Sequence, residues 1–204
     1  MNPQHLQANK TAFIICGALA REVMAIINRH QWAVDVFGIR AIAHMYPAQI
    51  ARAVEARYLV IRDAYDRVLV VYGDCGTRGA LDEVLNKYGL DRLKGPHCYQ
   101  MYAGQLFDEL MEQEPGTFFL TDFLVRSFQG TVWRGLGLNR FPELKDEYFR
   151  NYRRLVYLSQ VEDSRLQEKA GEIAAVLGLP MEIIQTGYGP FEGRLVEFME
   201  KPVD

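Results

Sequence analysis

A short apolar run at residues 68–72, rich in valine, ends abruptly in the turn Gly73-Asp74-Cys75-Gly76. A continuous run of β-branched and aromatic residues is typical of a strand that is buried on both faces. Thr77 then begins a segment that has helical spacing of its apolar residues as far as Lys87. A buried strand that passes through a tight turn into a helix is the repeating unit of parallel α/β sheets. This segment therefore predicts an α/β protein.

The rest of the chain repeats the same alternation. Apolar, β-branched or aromatic runs predict further strands at residues 12–16, 32–39, 93–98, 117–120, 155–158 and 181–186. Helical segments of about 10–15 residues separate most of these runs, which favours a parallel sheet covered on both faces. We predict a mostly parallel, doubly wound (Rossmann-like) α/β sheet with helices on both faces. It forms a single domain over residues 11–204, after a polar lead-in at residues 1–10.

Composition and charge exclude several classes of function. The net charge is −3 and no cluster of Lys and Arg is present, which argues against a nucleic-acid partner. Three cysteines are too few for a disulfide framework and fit a reducing compartment. The polar N-terminus does not resemble a signal peptide, and no apolar stretch approaches the roughly 18 residues of a membrane span. We expect a soluble, cytoplasmic protein without a membrane partner.

All three cysteines come at the ends of predicted strands. Cys16 ends the first strand, Cys75 follows the third and Cys98 ends the fourth, while His44 follows the second and His97 precedes Cys98. Right-handed crossovers bring the carboxyl ends of parallel strands to one edge, so we expect these side chains to meet. Sulfur and imidazole ligands are typical of zinc sites, and sulfur also suits iron and iron–sulfur clusters. We predict a transition-metal site, zinc favoured and iron or iron–sulfur second, with ligands Cys16, Cys75, Cys98 and either His44 or His97.

The glycine-rich turn after the third strand predicts a second kind of site. Gly73, Gly76 and Thr77 lie at the start of the following helix, where backbone N–H groups form a nest for an anion. Thr121 follows the fifth strand at the same predicted edge. We predict these four residues as cofactor-binding, although glycine in a tight turn also has a purely geometric explanation.

Three further residues are predicted to be catalytic. Glu22 lies on the helix after Cys16 and Asp74 adjoins Cys75, so either carboxylate is placed for general acid–base chemistry. Tyr188 follows the last strand and lines the expected pocket. Each has a simpler interpretation: a solvent-exposed Glu22, an Asp74 that hydrogen-bonds its own turn, and a Tyr188 that packs in the core.

The cysteines also have interpretations without a metal. A free cysteine packs well as a small apolar residue, and Cys16 follows two isoleucines. Cys75 is a candidate nucleophile with His97 as its base. The chain has no C-x-x-C zinc signature, and it has neither the G-x-G-x-x-G nor the P-loop motif, so a dinucleotide cofactor is disfavoured.

Several stretches resemble domain-of-unknown-function family 1638 of bacteria and methanogenic archaea. They are His44 with Pro47, CGAL at 16–19, YGDCGT at 72–77, HCY at 97–99, PGTFFLTD at 115–122, NYRRLVYL at 151–158 and TGYG at 186–189. The resemblance covers nearly the whole chain and brings no established activity. It implies that Cys16, His44, Cys75 and Cys98 belong to family motifs. It also implies a place in corrinoid-linked one-carbon or methylamine metabolism, beside a corrinoid or methyltransferase protein.

Three functions are consistent with this sequence. The first is a metal-dependent enzyme of corrinoid-linked methyl transfer, in which the metal activates a thiol or a water. The second is a non-enzymatic carrier of a metal or cofactor for a methyltransferase system. The third is a metal-free hydrolase or transferase with a cysteine nucleophile. Residues 136–149 are interpreted either as a lid or as the contact of a homodimer.

Overall fold

The computed structural model describes residues 10–201, which form two compact units, each with its own parallel sheet. The first unit runs up to Pro96 and includes the residues from Leu195 onward, and the second is His97–Arg194. The predicted α/β architecture with parallel strands and covering helices is confirmed. The strands divide between two sheets, whereas a single sheet was expected, because hydrophobic runs report burial and not strand pairing. The predicted lead-in lies almost entirely outside the described residues, and the single domain stays a prediction.

The first unit is built on a sheet with the strand order β2-β1-β3-β4. Its strands are β1 (Thr11–Cys16), β2 (Val34–Ile39), β3 (Arg67–Val71) and the short β4 (Asp91–Arg92), and all neighbours pair in parallel. Every residue of β1 is buried, because β1 has a paired strand on each side and helices over the sheet. This burial explains why its sequence is continuously apolar.

α-Helices cover the first sheet, with short 3₁₀ helices between the elements; Phe198, near the end of the chain, also packs against Phe13 of β1. The α-helices are α1 (Ala20–His30), α2 (Ile50–Ile61) and α3 (Ala80–Tyr88), and the 3₁₀ helices are Gly17–Leu19, Ala41–Met45, Pro47–Gln49 and Arg62–Ala64. α3 ends at Gly89, whose φ of 64° is the left-handed conformation that commonly ends a helix. The expected loop after β2 is thus largely 3₁₀-helical, and this conformation fixes the position of His44.

The second unit carries a sheet with the strand order β5-β6-β7, again parallel. Its strands are β5 (Thr117–Thr121), β6 (Arg154–Ser159) and β7 (Met181–Gln185). Its helices are α4 (Cys98–Ala103), α5 (Gln105–Gln113), α6 (Asp122–Phe128), α7 (Leu144–Phe149) and α8 (Ser164–Leu177). The last helix, α9 (Gly189–Glu200), begins in this unit, and its residues from Leu195 onward belong to the first. One apolar cluster joins α6 and α8 to Leu155 and Tyr157 of β6, and a second joins α5 to Val156 and Leu158. The alternating residues of β6 therefore supply both faces of this sheet.

Two predicted elements differ from the structure for local reasons. The predicted strand at residues 93–98 is not formed, and Cys98 instead begins α4. The predicted helix over residues 99–113 is interrupted at Gly104, whose φ of 57° does not allow an α-helix to continue. Within residues 10–201, no helix is both long enough and apolar enough to cross a membrane.

Gly17 lies where two stretches of backbone pass at close range. A Cβ atom at this position would lie 2.9 Å from the carbonyl oxygen of Ile39 and 3.2 Å from the nitrogen of Ala41. Both are main-chain atoms, so a larger residue cannot be accommodated by turning a side chain. The absence of a side chain at Gly17 therefore lets the segment Ala41–Met45 pass directly over the end of β1.

In the second unit, the Asp122 carboxylate is fully buried in a polar network. The Tyr157 hydroxyl donates to Oδ1 at 2.7 Å, and the Gln160 backbone N–H donates to the same oxygen at 3.0 Å. Arg126 Nη2 donates to Oδ2 at 3.3 Å. Burial, together with the bond to Asp122, raises the pKa of Tyr157. The network joins the ends of β5 and β6, and each donor offsets part of the cost of burying a charge.

We predict that Gly17→Ala lowers the free energy of unfolding by about 1–3 kcal/mol, because the added Cβ forces two backbones apart. Chemical denaturation of the two proteins measures the difference. Gly38→Ala is the matched control, since a Cβ at Gly38 meets no atom within 4 Å. Equal losses in the two variants would show that the close approach at Gly17 is not a structural constraint.

We predict that Tyr157→Phe lowers the free energy of unfolding by about 1–3 kcal/mol, because the buried Asp122 carboxylate loses a hydrogen-bond donor. Tyr148→Phe serves as the control, since this ring is exposed and outside the network. Thermal unfolding compared with wild type checks the difference. A Tyr157→Phe protein as stable as the Tyr148→Phe protein would contradict the assigned role.

Candidate functional site

Cys16 is held at the carboxyl end of β1 by the local backbone. Its side chain is buried, and its sulfur accepts a hydrogen bond at 3.4 Å from the backbone N–H of Ala18. The sulfur thus caps the 3₁₀ helix that follows the strand. The buried sulfur is therefore held in place at the end of the strand by the backbone of the following turn.

The 3₁₀ helix Ala41–Met45 brings His44 next to Cys16. His44 Nδ1 lies 2.9 Å from the carbonyl oxygen of Ala41. A carbonyl only accepts, so Nδ1 carries a proton. His44 Nε2 lies 3.8 Å from Cys16 Sγ, and the ring stacks on Tyr72 with centroids 5.7 Å apart. The expected meeting of Cys16 with His44 is present, whereas the orienting Ala41 carbonyl had no signal in the sequence, since every residue has one.

The His44 ring interacts with two sulfurs, those of Cys16 and Cys75. Burial acts to lower the pKa of His44, but hydrogen bonds with the Cys16 and Cys75 sulfurs outweigh it and raise the pKa to about 11. The same sulfurs also attract the imidazolium charge. His44 is therefore the residue that links the ends of β1 and β3.

Cys75 adopts a backbone conformation that is unusual for a residue with a side chain. Its φ is 48°, in the left-handed region that favours glycine. Its N–H donates to the Pro96 carbonyl oxygen at 2.7 Å, and the N–H of Asp74 donates to the Gly95 carbonyl at 3.2 Å. Strain of this kind is retained where surrounding contacts fix the backbone, and it is common at functional sites. The half-buried thiol is thus presented from a rigid turn.

The Asp74 carboxylate organises this turn. It accepts from the Thr77 hydroxyl at 2.6 Å and from the backbone N–H groups of Gly76, Arg78 and Gly79 at 3.2, 3.3 and 3.0 Å. The Thr77 bond contributes most to lowering the pKa of Asp74, against the opposing effect of burial. These four bonds favour the simpler interpretation of Asp74, a residue that hydrogen-bonds its own turn, and its catalytic role stays a prediction.

The hydrogen bonds to Asp74 use N–H groups that were predicted to bind an external anion. N–H groups of this turn point at the Asp74 carboxylate, so a group of the chain itself lies where an external anion was expected. Gly76 has a φ of 83°, which only glycine adopts readily. α3 begins at Ala80, three residues later than predicted, because the Asp74 cap occupies the preceding turn. Cofactor binding by Gly73, Gly76 and Thr77 stays a prediction.

Cys98 and His97 belong to the second unit, where Cys98 is the first residue of α4. The His97 ring packs against Phe107 and Tyr99, with centroid distances of 4.7 and 5.2 Å. Its Nδ1 is buried and has no hydrogen-bond partner among the described residues. Burial lowers the pKa of His97, which favours a neutral ring. The ligand role of these two residues, and that of His97 as a base, stay predictions.

The remaining predicted site residues have these positions. Glu22 is buried in the first turn of α1, where a carboxylate is stabilised by the helix dipole. Thr121 caps α6, its hydroxyl accepting at 3.4 Å from the N–H of Leu124. Tyr188 lies just before α9, and its carbonyl accepts from the N–H of Phe191. A catalytic role for Glu22 and Tyr188, and cofactor binding by Thr121, stay predictions.

The donors of the predicted metal site are not assembled into a complete coordination group. Over residues 10–201, no three His, Cys, Asp or Glu side chains are grouped so that they could hold a metal ion as they stand. The three cysteines in this range form no disulfide. In the first unit, the His44 imidazole lies 3.8 Å from the Cys16 sulfur, its pKa is raised by the Cys75 thiol as well, and a backbone carbonyl anchors it.

Comparison with known proteins identifies a family and no activity. No curated protein matches the sequence significantly. A family model described as "Protein of unknown function (DUF1638)" matches residues 39–195, the greater part of the chain. The matched range includes His44, Cys75 and Cys98, and Cys16 precedes it. The chain therefore belongs to the DUF1638 family.

Proposed function

We propose that Cys16, His44 and Cys75 bind a transition metal, with zinc favoured and iron or an iron–sulfur cluster second. The observation that carries the proposal is the His44 imidazole beside the Cys16 sulfur, with Nδ1 held by the Ala41 carbonyl; the effect of the Cys75 thiol on the His44 pKa adds the second sulfur. Two thiols and one imidazole are a donor set found in zinc enzymes.

The distance between two of these donors is close to that in a zinc site. Cys16 Sγ lies 3.8 Å from His44 Nε2 but also 4.0 Å from Nδ1, so the ring has to turn for Nε2 to face a metal held by this sulfur. Around a tetrahedral zinc ion, with Zn–S near 2.3 Å and Zn–N near 2.0–2.1 Å, a sulfur and a nitrogen ligand are about 3.6 Å apart. The Nδ1–H bond to the Ala41 carbonyl is the outer contact that most metal-binding histidines make, and it leaves Nε2 as the ligand atom.

Side chains have to move before Cys16, His44 and Cys75 can bind one metal ion together. Since no three donors in the described residues hold an ion as they stand, binding must move at least one side chain. Besides the His44 ring, the Cys75 side chain can move, because it is half-buried, whereas Cys16 is fixed by its bond to Ala18. The Cys75 sulfur already interacts with the His44 ring, which places it on the same side of the site.

The number of ligands would determine the role of the site. A metal with three protein ligands keeps an open position and acts as a Lewis acid on a bound thiol or water. Cys16 and Cys75 would hold it in place, and the Ala41 carbonyl would orient His44. A fourth ligand would close the site and favour a carrier. We propose corrinoid-linked one-carbon metabolism as the setting, with a corrinoid or methyltransferase protein as partner, on the resemblance alone.

A second candidate is a metal-free hydrolase or transferase with Cys75 as the nucleophile. The strained turn between β3 and α3 presents the Cys75 thiol. The raised pKa of His44 favours the imidazolium form, and the Cys16 and Cys75 sulfurs are among its causes. A thiolate paired with an imidazolium is an activated nucleophile. In this case the partner histidine is His44, whose ring contacts the thiol, in place of the predicted His97.

Elemental analysis of anaerobically purified protein separates the two candidates. We expect about one equivalent of zinc or iron per chain, and a loss of most of it in Cys16→Ser, His44→Ala and Cys75→Ser, since each removes a donor. His30→Ala is the matched control, because this ring stacks on Trp32 and is not a predicted ligand. Wild-type protein with less than about a tenth of an equivalent of any transition metal would overturn the metal proposal.

Thiol reactivity provides a second test. Peptide mass spectrometry after brief treatment with iodoacetamide measures the alkylation rate of Cys75, before and after treatment with a strong chelator. If Cys75 binds a metal, chelation raises its rate by about tenfold or more, because a coordinated thiolate is shielded. If Cys75 is a free nucleophile, chelation has no effect and His44→Ala lowers the rate. If neither chelation nor His44→Ala changes the alkylation rate, Cys75 is neither a metal ligand nor a nucleophile activated by His44.

A further inference from the structure

A groove in the first unit lies between the end of β2, the segment Ala41–Met45 and α2. Its volume is about 910 Å³. Ligand sites in proteins typically enclose about 300–1,000 Å³, so the groove is large enough for an organic molecule. None of the predicted site residues lines it. Its function is therefore a separate question from that of the cysteines.

One face of α2 forms a wall of the groove. The residues Arg52, Ala53, Ala56, Arg57 and Val60 line it, and their spacing of three and four places them on one side of the helix. The opposite side of α2 is buried in the unit. Ala53 and Ala56 have small side chains, so the space between Arg52 and Arg57 stays open. Larger side chains at these two positions would fill that space.

The rest of the groove is predominantly apolar. Ile39 is buried at its base, and Ile42, Tyr46 and Val60 are 42%, 59% and 78% exposed. Exposed apolar side chains that share one concave surface are characteristic of binding sites, whereas isolated ones are ordinary. A ligand that covered them would gain from the removal of this apolar area from water.

All the charged residues that line the groove are basic. Arg40, Arg52 and Arg57 line it, and no carboxylate does. Across residues 10–201, none of these arginines forms an ion pair; the Arg57 guanidinium lies 5.7 Å from the centre of the Phe37 ring. In a chain with a net charge of −3, three unpaired guanidinium groups around an apolar depression form a local basic site.

We propose that this groove binds an organic anion that has an apolar body and a carboxylate or phosphate group. The apolar residues take the body, and the arginines bind the acidic oxygens in the forked geometry that suits both groups. A second copy of the chain is a poorer occupant. A two-fold axis through the groove would place the arginines against their own copies, and like charges oppose such a contact.

Calorimetric titration of the full chain with octanoate, octyl phosphate and 1-octanol tests the proposal. We expect at least one of the two anions to bind about tenfold or more tightly than the alcohol. The better anion identifies the acidic group. Inorganic phosphate is a further probe, and we expect it to bind much more weakly than octyl phosphate because it lacks the apolar body.

Two charge-matched double variants locate the site. Arg52→Glu with Arg57→Glu should weaken anion binding by about tenfold or more, because two guanidinium groups become carboxylates. Arg62→Glu with Arg150→Glu changes the net charge equally at exposed positions outside the groove, and it should stay within about twofold of wild type. Ala56→Trp should weaken binding by filling the groove without changing its charge. Circular dichroism confirms that each variant is folded.

Three results would overturn the proposal. One is that neither anion binds at about 5 mM. Another is that the alcohol binds as tightly as the anions. The third is that both double variants lose binding equally, which would indicate a general effect of net charge. Sedimentation identifies the alternative occupant: a dimer that dissociates on Ala56→Trp, without anion binding, would make the groove an interface between copies. None of these results depends on the metal content of the cysteines.

Discussion

The passage of the Ala41 backbone over Gly17 is the contact on which the candidate site depends. Because Gly17 has no side chain, the chain leaving β2 packs within van der Waals distance of the end of β1. The 3₁₀ helix Ala41–Met45 begins at this point, and its first carbonyl orients the His44 ring towards Cys16. One missing methyl group thus determines whether an imidazole reaches a buried sulfur. The same helix lines the groove, so the candidate site and the groove depend on one backbone segment.

The sequence predicted the strands well because of the way parallel strands are buried. β1 and β6 have paired neighbours on both sides and helices over the sheet, so their apolar runs are continuous and easy to recognise. The division into two sheets was not predicted, because a run of valines reports burial without specifying its partner. The strand predicted at residues 93–98 is not formed. That stretch contains Gly95 and Pro96, and it has too few apolar residues to show either strand or helix periodicity.

Within the site, positions were more predictable than roles. Cys16, His44 and Cys75 were expected together because each follows a strand of what proved to be one parallel sheet. The four hydrogen bonds of Asp74 depend on the exact dihedral angles of its turn, which residue types alone do not specify. The basic groove gave no recognisable signal either, because arginine and alanine along one face of α2 also describe an ordinary solvent-exposed helix.

The left-handed conformation of Cys75 lowers the stability of its turn, while the cysteine side chain places a thiol there. A glycine there would adopt the same φ of 48° without the cost, of order 1 kcal/mol or more, that a Cβ imposes. The most stable form of this turn is therefore one that carries no sulfur. A chain that keeps cysteine at this position has a lower folding free energy than one with glycine there, so a substitution selected for stability alone would replace this thiol.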